Sequence, residues 1–186
     1  MISKVNPELR ARVASNVLKY YGYFDGDVTS EIITDRKNSK KAKVAYSITL
    51  HRPYRYDSIE YRGFTGKADS LIEATKNERL IRKGEQFSAN AINSERERIN
   101  SLLRNNGYFY YQPTFTRILA DTINTPGLAQ MRIEPQPSLP SRGNRPYSIG
   151  NINIQVLKNN TLPRSNNDTI KGRSFTYIYN GEKPPV

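Results

Sequence analysis

One phrase occurs twice in this chain. Val17-Leu18-Lys19-Tyr20-Tyr21-Gly22-Tyr23-Phe24 returns 85 residues later as Leu102-Leu103-Arg104-Asn105-Asn106-Gly107-Tyr108-Phe109. A second phrase, Arg52-Pro53-Tyr54 followed by Ile59 and Tyr61, returns 93 residues later as Arg145-Pro146-Tyr147 followed by Ile152 and Ile154. A period of 85 to 93 residues is too long for a solenoid unit and implies repeated small domains. In 186 residues this leaves room for one whole copy and parts of two others. The spacing predicts three segments: 1–53, the helix-strand-strand end of a first copy; 54–145, a complete copy; and 146–186, the beginning of a third.

The local pattern supplies the elements. Asn6 suits an N-cap, Pro7 the first helical position, and Leu9, Val13 and Val17 recur every four residues, so a helix is expected up to Gly22. A strand is expected from Tyr23 to Thr34, bent near Asp25-Gly26-Asp27, and a second from Ala42 to Leu50. In the second, Val44, Tyr46, Ile48 and Leu50 alternate with polar or small residues, the mark of one buried face. After Pro53 a strand is predicted over 55–62, then a short helix capped by Asp69 or Ser70 and carrying Leu71, Ile72, Leu80 and Ile81. Ser88 caps the next helix, with Phe87 and Ile92 as a hydrophobic staple and Ile92, Ile99, Leu102 and Leu103 as its buried stripe. Glu95, Arg96, Glu97, Arg98 and Arg104 fall mostly on the wet face of that reading. Tyr108 to Asp121 is then predicted as one long aromatic strand, and Ala129 to Glu134 as its neighbour. Beyond the Pro135–Pro146 linker, strands are expected over 149–157 and 174–179, with a polar, loose stretch over 159–172.

Composition excludes several classes. With no Cys there is neither a disulfide framework nor a thiolate centre, and a single histidine, His51, argues against a His-rich metal site or a Ser-His-Asp triad. His51 reads as a surface or linker residue. Asp25-Gly26-Asp27 lacks the later ligands of a calcium loop. Gly63-Phe64-Thr65-Gly66-Lys67 is too short for a phosphate loop and no Ser or Thr follows its lysine. Asn159-Asn160-Thr161 and Asn167-Asp168-Thr169 are sequons only in form. No catalytic residue, metal or cofactor is expected. No run of about 18 apolar residues marks a membrane-spanning helix. The net charge of +12 is spread along the chain, densest at Lys40-Lys41-Ala42-Lys43. Met1–Pro7 has no signal-peptide core, so an exported protein is expected here as a processed piece.

The order strand, helix, helix, strand, strand, together with Lys83-Gly84-Glu85-Gln86-Phe87-Ser88, Ser94-Glu95-Arg96-Glu97-Arg98-Ile99 and Gly107-Tyr108-Phe109, resembles the polypeptide-transport-associated (POTRA) domain. The chain is similar to the periplasmic part of BamA- or TamA-type outer-membrane assembly proteins, and Phe115 to Thr122 resembles the TamA-like lipoprotein branch. The resemblance implies an α+β class: tandem β-α-α-β-β domains, each with two helices on a three-stranded mixed sheet. It implies a periplasmic, non-enzymatic scaffold or chaperone attached to the outer membrane through the rest of its parent chain. Its partners would be unfolded outer-membrane proteins, accessory periplasmic or lipoprotein subunits, the parent chain's barrel and anionic lipid headgroups. Without the barrel and the upstream half of the first copy, this chain is not expected to insert a membrane protein by itself.

The same resemblance makes the aromatic strand an edge. An edge offers unpaired N–H and C=O groups to another extended chain, so the partner-binding residues are expected to be Tyr110, Tyr111, Thr114, Phe115 and Arg117. Pro113 removes one donor there. The truncated first copy is expected to leave its apolar face partly uncovered. Residues 147–157, read as a spare opening strand, are expected to exchange with a second molecule to form a swapped homodimer. A basic module that stacks single-stranded nucleic acid on Tyr and Phe is the alternative.

Overall fold

The computed structural model describes residues 6–38, 41–156, 168–173 and 175–179, and the chain divides into two compact units, Met1–Arg145 and Pro146–Val186. In the first unit, helix α1 spans Pro7–Tyr20. The Asn6 side chain accepts the Leu9 N–H at 3.0 Å, so the cap and the proline act as their positions predict. Strands β1 (Asp27–Thr34) and β2 (Ala42–Thr49) form an antiparallel pair. Then come β3 (Arg55–Tyr61), α2 (Lys67–Ala74), α3 (Ala89–Asn105), β4 (Thr116–Asp121) and β5 (Leu128–Pro135). Their sheet runs β3-β5-β4, with β3 parallel and β4 antiparallel to β5. This is the α+β, POTRA-like arrangement of two helices on a three-stranded mixed sheet.

The repeat holds hydrogen bond by hydrogen bond. At the end of α1, Tyr21 N–H donates to Leu18 O, Gly22 N–H to Lys19 O and Tyr23 N–H to Leu18 O. At the end of α3, Asn106 N–H donates to Leu103 O, Gly107 N–H to Arg104 O and Tyr108 N–H to Leu103 O. Gly22 and Gly107 both take the left-handed conformation, with φ of 86° and 97°. One further turn also matches: Gly26 N–H to Tyr23 O, and Tyr111 N–H to Tyr108 O. There the copies diverge. β1 starts at once with Asp27, whereas Gln112 to Phe115 intervene before β4 starts at Thr116.

The core lies in the complete copy. Tyr56, Ile72, Ile81, Ile99, Leu103 and Ile133 are its most deeply buried members. Among the described residues of the first half-copy, only Ala11 and Val28 are buried hydrophobics. Leu9, Val13 and Val17 form the expected stripe but are 46–54% exposed, and Tyr46, Ile48 and Leu50, read as a buried face, are exposed. In 54–145 the equivalent positions have β3 beside β5 and α2 beside α3.

Three expected elements differ. The short helix starts at Lys67 after a left-handed Gly66, with no side-chain cap from Asp69 or Ser70, and stops at Ala74. A 3₁₀ turn at Lys76–Glu78 follows, so Leu80 and Ile81 lie beyond the helix. Glu95, placed on the wet face by its charge, is fully buried. Tyr108 to Phe115 is no strand but a pair of turns, the second a 3₁₀ turn at Pro113–Phe115.

The half-copy is locked to the complete one at Gly22 and Phe24. Gly22 O accepts Tyr54 N–H at 2.8 Å, and Gln86 Nε2 donates to Tyr21 O at 2.8 Å. The Phe24 ring meets Tyr54 and Phe87 edge-on at 5.0 and 4.9 Å. A Cβ on Gly22 would sit 2.9 Å from Phe87 O. Gly84 has a similar φ of 85° with nothing near its Cβ position, so it isolates the backbone cost, about 1–2 kcal/mol. Gly22→Ala is therefore expected to cost more than Gly84→Ala in denaturant unfolding and to speed exchange of the Tyr54 amide. Equal costs would contradict the close contact.

In the second unit, β6 (Ile152–Val156), β7 (Asp168–Lys171) and β8 (Phe175–Tyr179) form a sheet in the order β6-β8-β7. β6 is parallel and β7 antiparallel to β8, the topology of β3-β5-β4. The stretch read as loose therefore contains β7. Of the strand read as spare, Ile152–Val156 pair with β8, so this part is already held within its own unit and is not the free strand that the swapped homodimer required. Residues 157–167 and 180–186, with the first sequon and the closing prolines, lie outside the described residues.

Candidate functional site: a free sheet edge

Strand β4 is the edge of its sheet, and alternation shows which groups it offers. Phe115 O accepts Gln136 N–H, so odd-numbered residues here point towards β5. Thr116 O points the other way and accepts Arg96 Nε at 3.2 Å. In a regular strand the main-chain groups of Arg117, Leu119 and Asp121 then face β5, and those of Ile118 and Ala120 face outward. Among the described residues no strand pairs with that side. The opposite edge is closed where β3 begins. Tyr56 N–H donates to Glu85 O, Gly84 N–H to Tyr56 O and Phe87 N–H to Tyr54 O, which laces the segment before α3 onto it.

The expected partner-binding residues scatter around this edge. Arg117 alone lies in β4, ion-paired to Glu134 on the neighbouring strand. Tyr111 is buried, its hydroxyl 2.9 Å from Thr116 Oγ1, and burial raises its pKa. Phe115 is half-buried, its ring 5.9 Å from that of Tyr111. Thr114 is exposed in the 3₁₀ turn. Tyr110 is exposed, stacked edge-on with the exposed Phe109 at 5.1 Å, and each ring lies under an arginine, Arg142 and Arg104. Ile118, Ala120 and Arg96 were missed. The alternation of Thr116, Ile118 and Ala120 with Arg117, Leu119 and Asp121 was the available signal, hidden by the aromatic run before it.

A buried carboxylate network joins α3 to β3. The Glu95 carboxylate accepts Tyr61 OH at 2.7 Å, Leu80 N–H at 2.8 Å, and Arg98 through Nη2 at 2.6 Å and Nε at 3.0 Å. Burial, then the neighbouring carboxylate, pushes the Tyr61 pKa well above its ordinary value. Burial alone would lower that of Arg98, but Glu95 more than reverses this. This network ties β3, α3 and the loop after α2 together. It lies at no cleft and is a structural staple. Among the described residues no group of three or more His, Asp or Glu could hold a metal, and no helix is long and apolar enough to cross a membrane.

No family model matches the chain, and no curated protein matches it. Among solved structures it is similar to "Crystal structure of Haemophilus Influenzae BamA POTRA3-5", at 17% identity over 68% of this chain and 45% of that one, with a TM-score of 0.39. The match thus spans less than half of that structure's length. A likeness of this degree carries no argument; the strand order and the matched helix ends described above carry the structural class.

Proposed function

We propose that this chain is a periplasmic scaffold segment of an outer-membrane protein assembly factor, and that it takes unfolded outer-membrane proteins or accessory subunits by strand addition to β4. The observation that carries this reading is the outward-facing main chain of Ile118 and Ala120 on an edge strand, while the opposite edge is laced at its start, Tyr54–Tyr56. Main-chain bonds suit clients that share alternation but not sequence. The basic surface would meet anionic headgroups or accessory lipoproteins, and the parent chain would supply the barrel. Segment 146–186, with its matching strand order, would be part of a further POTRA-like domain. The resemblance of Phe115 to Thr122 to the TamA-like lipoprotein branch supports that narrower placement.

The test is a titration of the full chain with an extended peptide of alternating apolar pattern. Ala120→Pro removes an outward N–H and no bond to β5, so the sheet keeps its ladder. It is expected to weaken binding about tenfold, a loss of about 1.4 kcal/mol. Thr114→Pro, in the turn, is expected to leave binding unchanged. An unchanged affinity for Ala120→Pro would overturn the proposal. The exposed Phe109 and Tyr110 under Arg104 and Arg142 are the observation that favours single-stranded nucleic acid instead. Binding to a single strand would weaken with salt by a log-log slope of about −0.7 per phosphate contact. Strand addition would respond far less.

A further inference from the structure

The free edge of β4 is short, and one side chain closes its near end. In the alternation of β4 the main-chain groups of Thr116 face outward, and both are used. Its N–H donates to Pro113 O in the 3₁₀ turn, and its carbonyl accepts Arg96 Nε at 3.2 Å. Along β4 this leaves Ile118 and Ala120 to offer outward N–H and C=O groups.

The arginine at that end is held in place. Its Nη1 donates to Asn93 Oδ1 at 2.9 Å, one turn earlier on α3, and Asn93 Nδ2 donates to the Tyr20 hydroxyl at 3.4 Å, at the end of α1. Nη2 makes no hydrogen bond and no ion pair among the described residues. In a planar guanidinium Nε–H and one Nη2–H project side by side from one edge. With Nε on Thr116 O, the unused Nη2 faces the same edge of β4. The side chains matter too. Thr116 is buried on the face of the sheet that α3 covers, and Ile118 and Ala120 share that face. A residue paired opposite Thr116 would put its own side chain there, beside Arg96.

We infer that Arg96 selects what the β4 edge accepts: an extended segment with a carboxylate two residues beyond the one paired with Ile118, on its helix-facing side, where it accepts from Nη2. The inference rests on strand addition at β4 and adds the residue and the charge that set the register. Pairing over Ile118 and Ala120 alone does not fix a register, because a slide of two residues returns every side chain to its own face. A carboxylate held at Arg96 fixes it. An apolar residue there gains nothing from Nη2, and a lysine or arginine meets a like charge.

The experiment titrates the full 186-residue chain with three peptides of one alternating apolar pattern. Their final alternating residue at the C-terminal end, the one beside Thr116 in antiparallel pairing, is Glu, Gln or Lys. A second set carries the change at the N-terminal end, for parallel pairing. Acetylated and amidated ends remove the terminal charges. In one set affinity is expected to fall in the order Glu, Gln, Lys, with about fivefold between Glu and Gln at low salt. Arg96→Gln is expected to remove the Glu-over-Gln difference, Arg96→Lys to keep part of it, and Arg96→Glu to reverse the order of Glu and Lys. Amide exchange at Ile118 and Ala120 reads the edge separately. Slowed exchange there with equal affinity for the Glu and Gln peptides of both sets would overturn the role of Arg96 and leave strand addition standing. No slowing at either amide would overturn both. A Glu preference that survives Arg96→Gln would place the acid elsewhere and equally contradict the inference.

Discussion

Glu95→Ala is expected to destabilise the complete copy by about 3–5 kcal/mol, the largest single-site effect in the chain. The side chain is 0% exposed and both of its oxygens are fully used, by Tyr61, Leu80 and two nitrogens of Arg98. Arg98 also donates to Thr75 Oγ1 and keeps only 13% of its side chain exposed. Removing the carboxylate leaves a nearly buried guanidinium without its counter-charge and strands the Leu80 N–H and the Tyr61 hydroxyl. The cost therefore comes from what remains, not only from what is lost. It follows that Glu95→Leu combined with Arg98→Met should cost much less than the sum of the single changes, because no orphaned charge is left. The chain has two compact units, so one global melting curve is a poor readout. Exchange of core amides in α3 and β5 reports the complete copy directly. A cost below about 1 kcal/mol for Glu95→Ala would show that the pair is solvated.

Leu103→Ala should cost about 2–5 kcal/mol, while the equivalent Leu18→Ala costs less than half as much. The two residues hold the same place at the end of α3 and α1 and make the same capping bonds through their carbonyls. They differ in what covers them. Leu103 is wholly buried among α2, β3 and β5 neighbours; Leu18 lines the open groove of the half-copy. A cavity is left only in the first case, since solvent already reaches the second. Paired exchange measurements on α1 and α3 amides in the two variants check this. Equal costs would mean that the half-copy is covered in solution.

The repeat was the most legible feature because a helix end is written locally. A cap needs a glycine at a left-handed position and a leucine four residues before it, and both copies spell this out. The strand-helix-helix-strand-strand order followed from periodicity and turn residues. What escaped depended on distant partners. Glu95 carries the pattern of a solvated helix face, and only Tyr61 and Leu80, 34 and 15 residues away, turn that position inward. The aromatic run from Tyr108 to Phe115 offers rings to both faces of an expected strand, yet Tyr108 and Tyr111 are both buried, a spacing of three that marks a turn. Pro113 then opens a 3₁₀ turn, which its fixed φ favours. This moved the free edge a few residues along the chain, from the rings to Ile118 and Ala120. β7 was missed because Asp168-Thr169-Ile170-Lys171 is too short and polar to stand out without its partner β8.

Backbone amide exchange of the full chain, with and without an extended peptide of alternating apolar pattern, tests the role of the β4 edge most directly. Slowed exchange at Ile118 and Ala120, with Tyr54 and Tyr56 unchanged, is the expected result, since the Tyr54 and Tyr56 amides already donate to Gly22 O and Glu85 O. Binding that leaves both β4 amides as fast as before, while shifting Phe109, Tyr110 and the arginines over them, would contradict it and point to stacking instead.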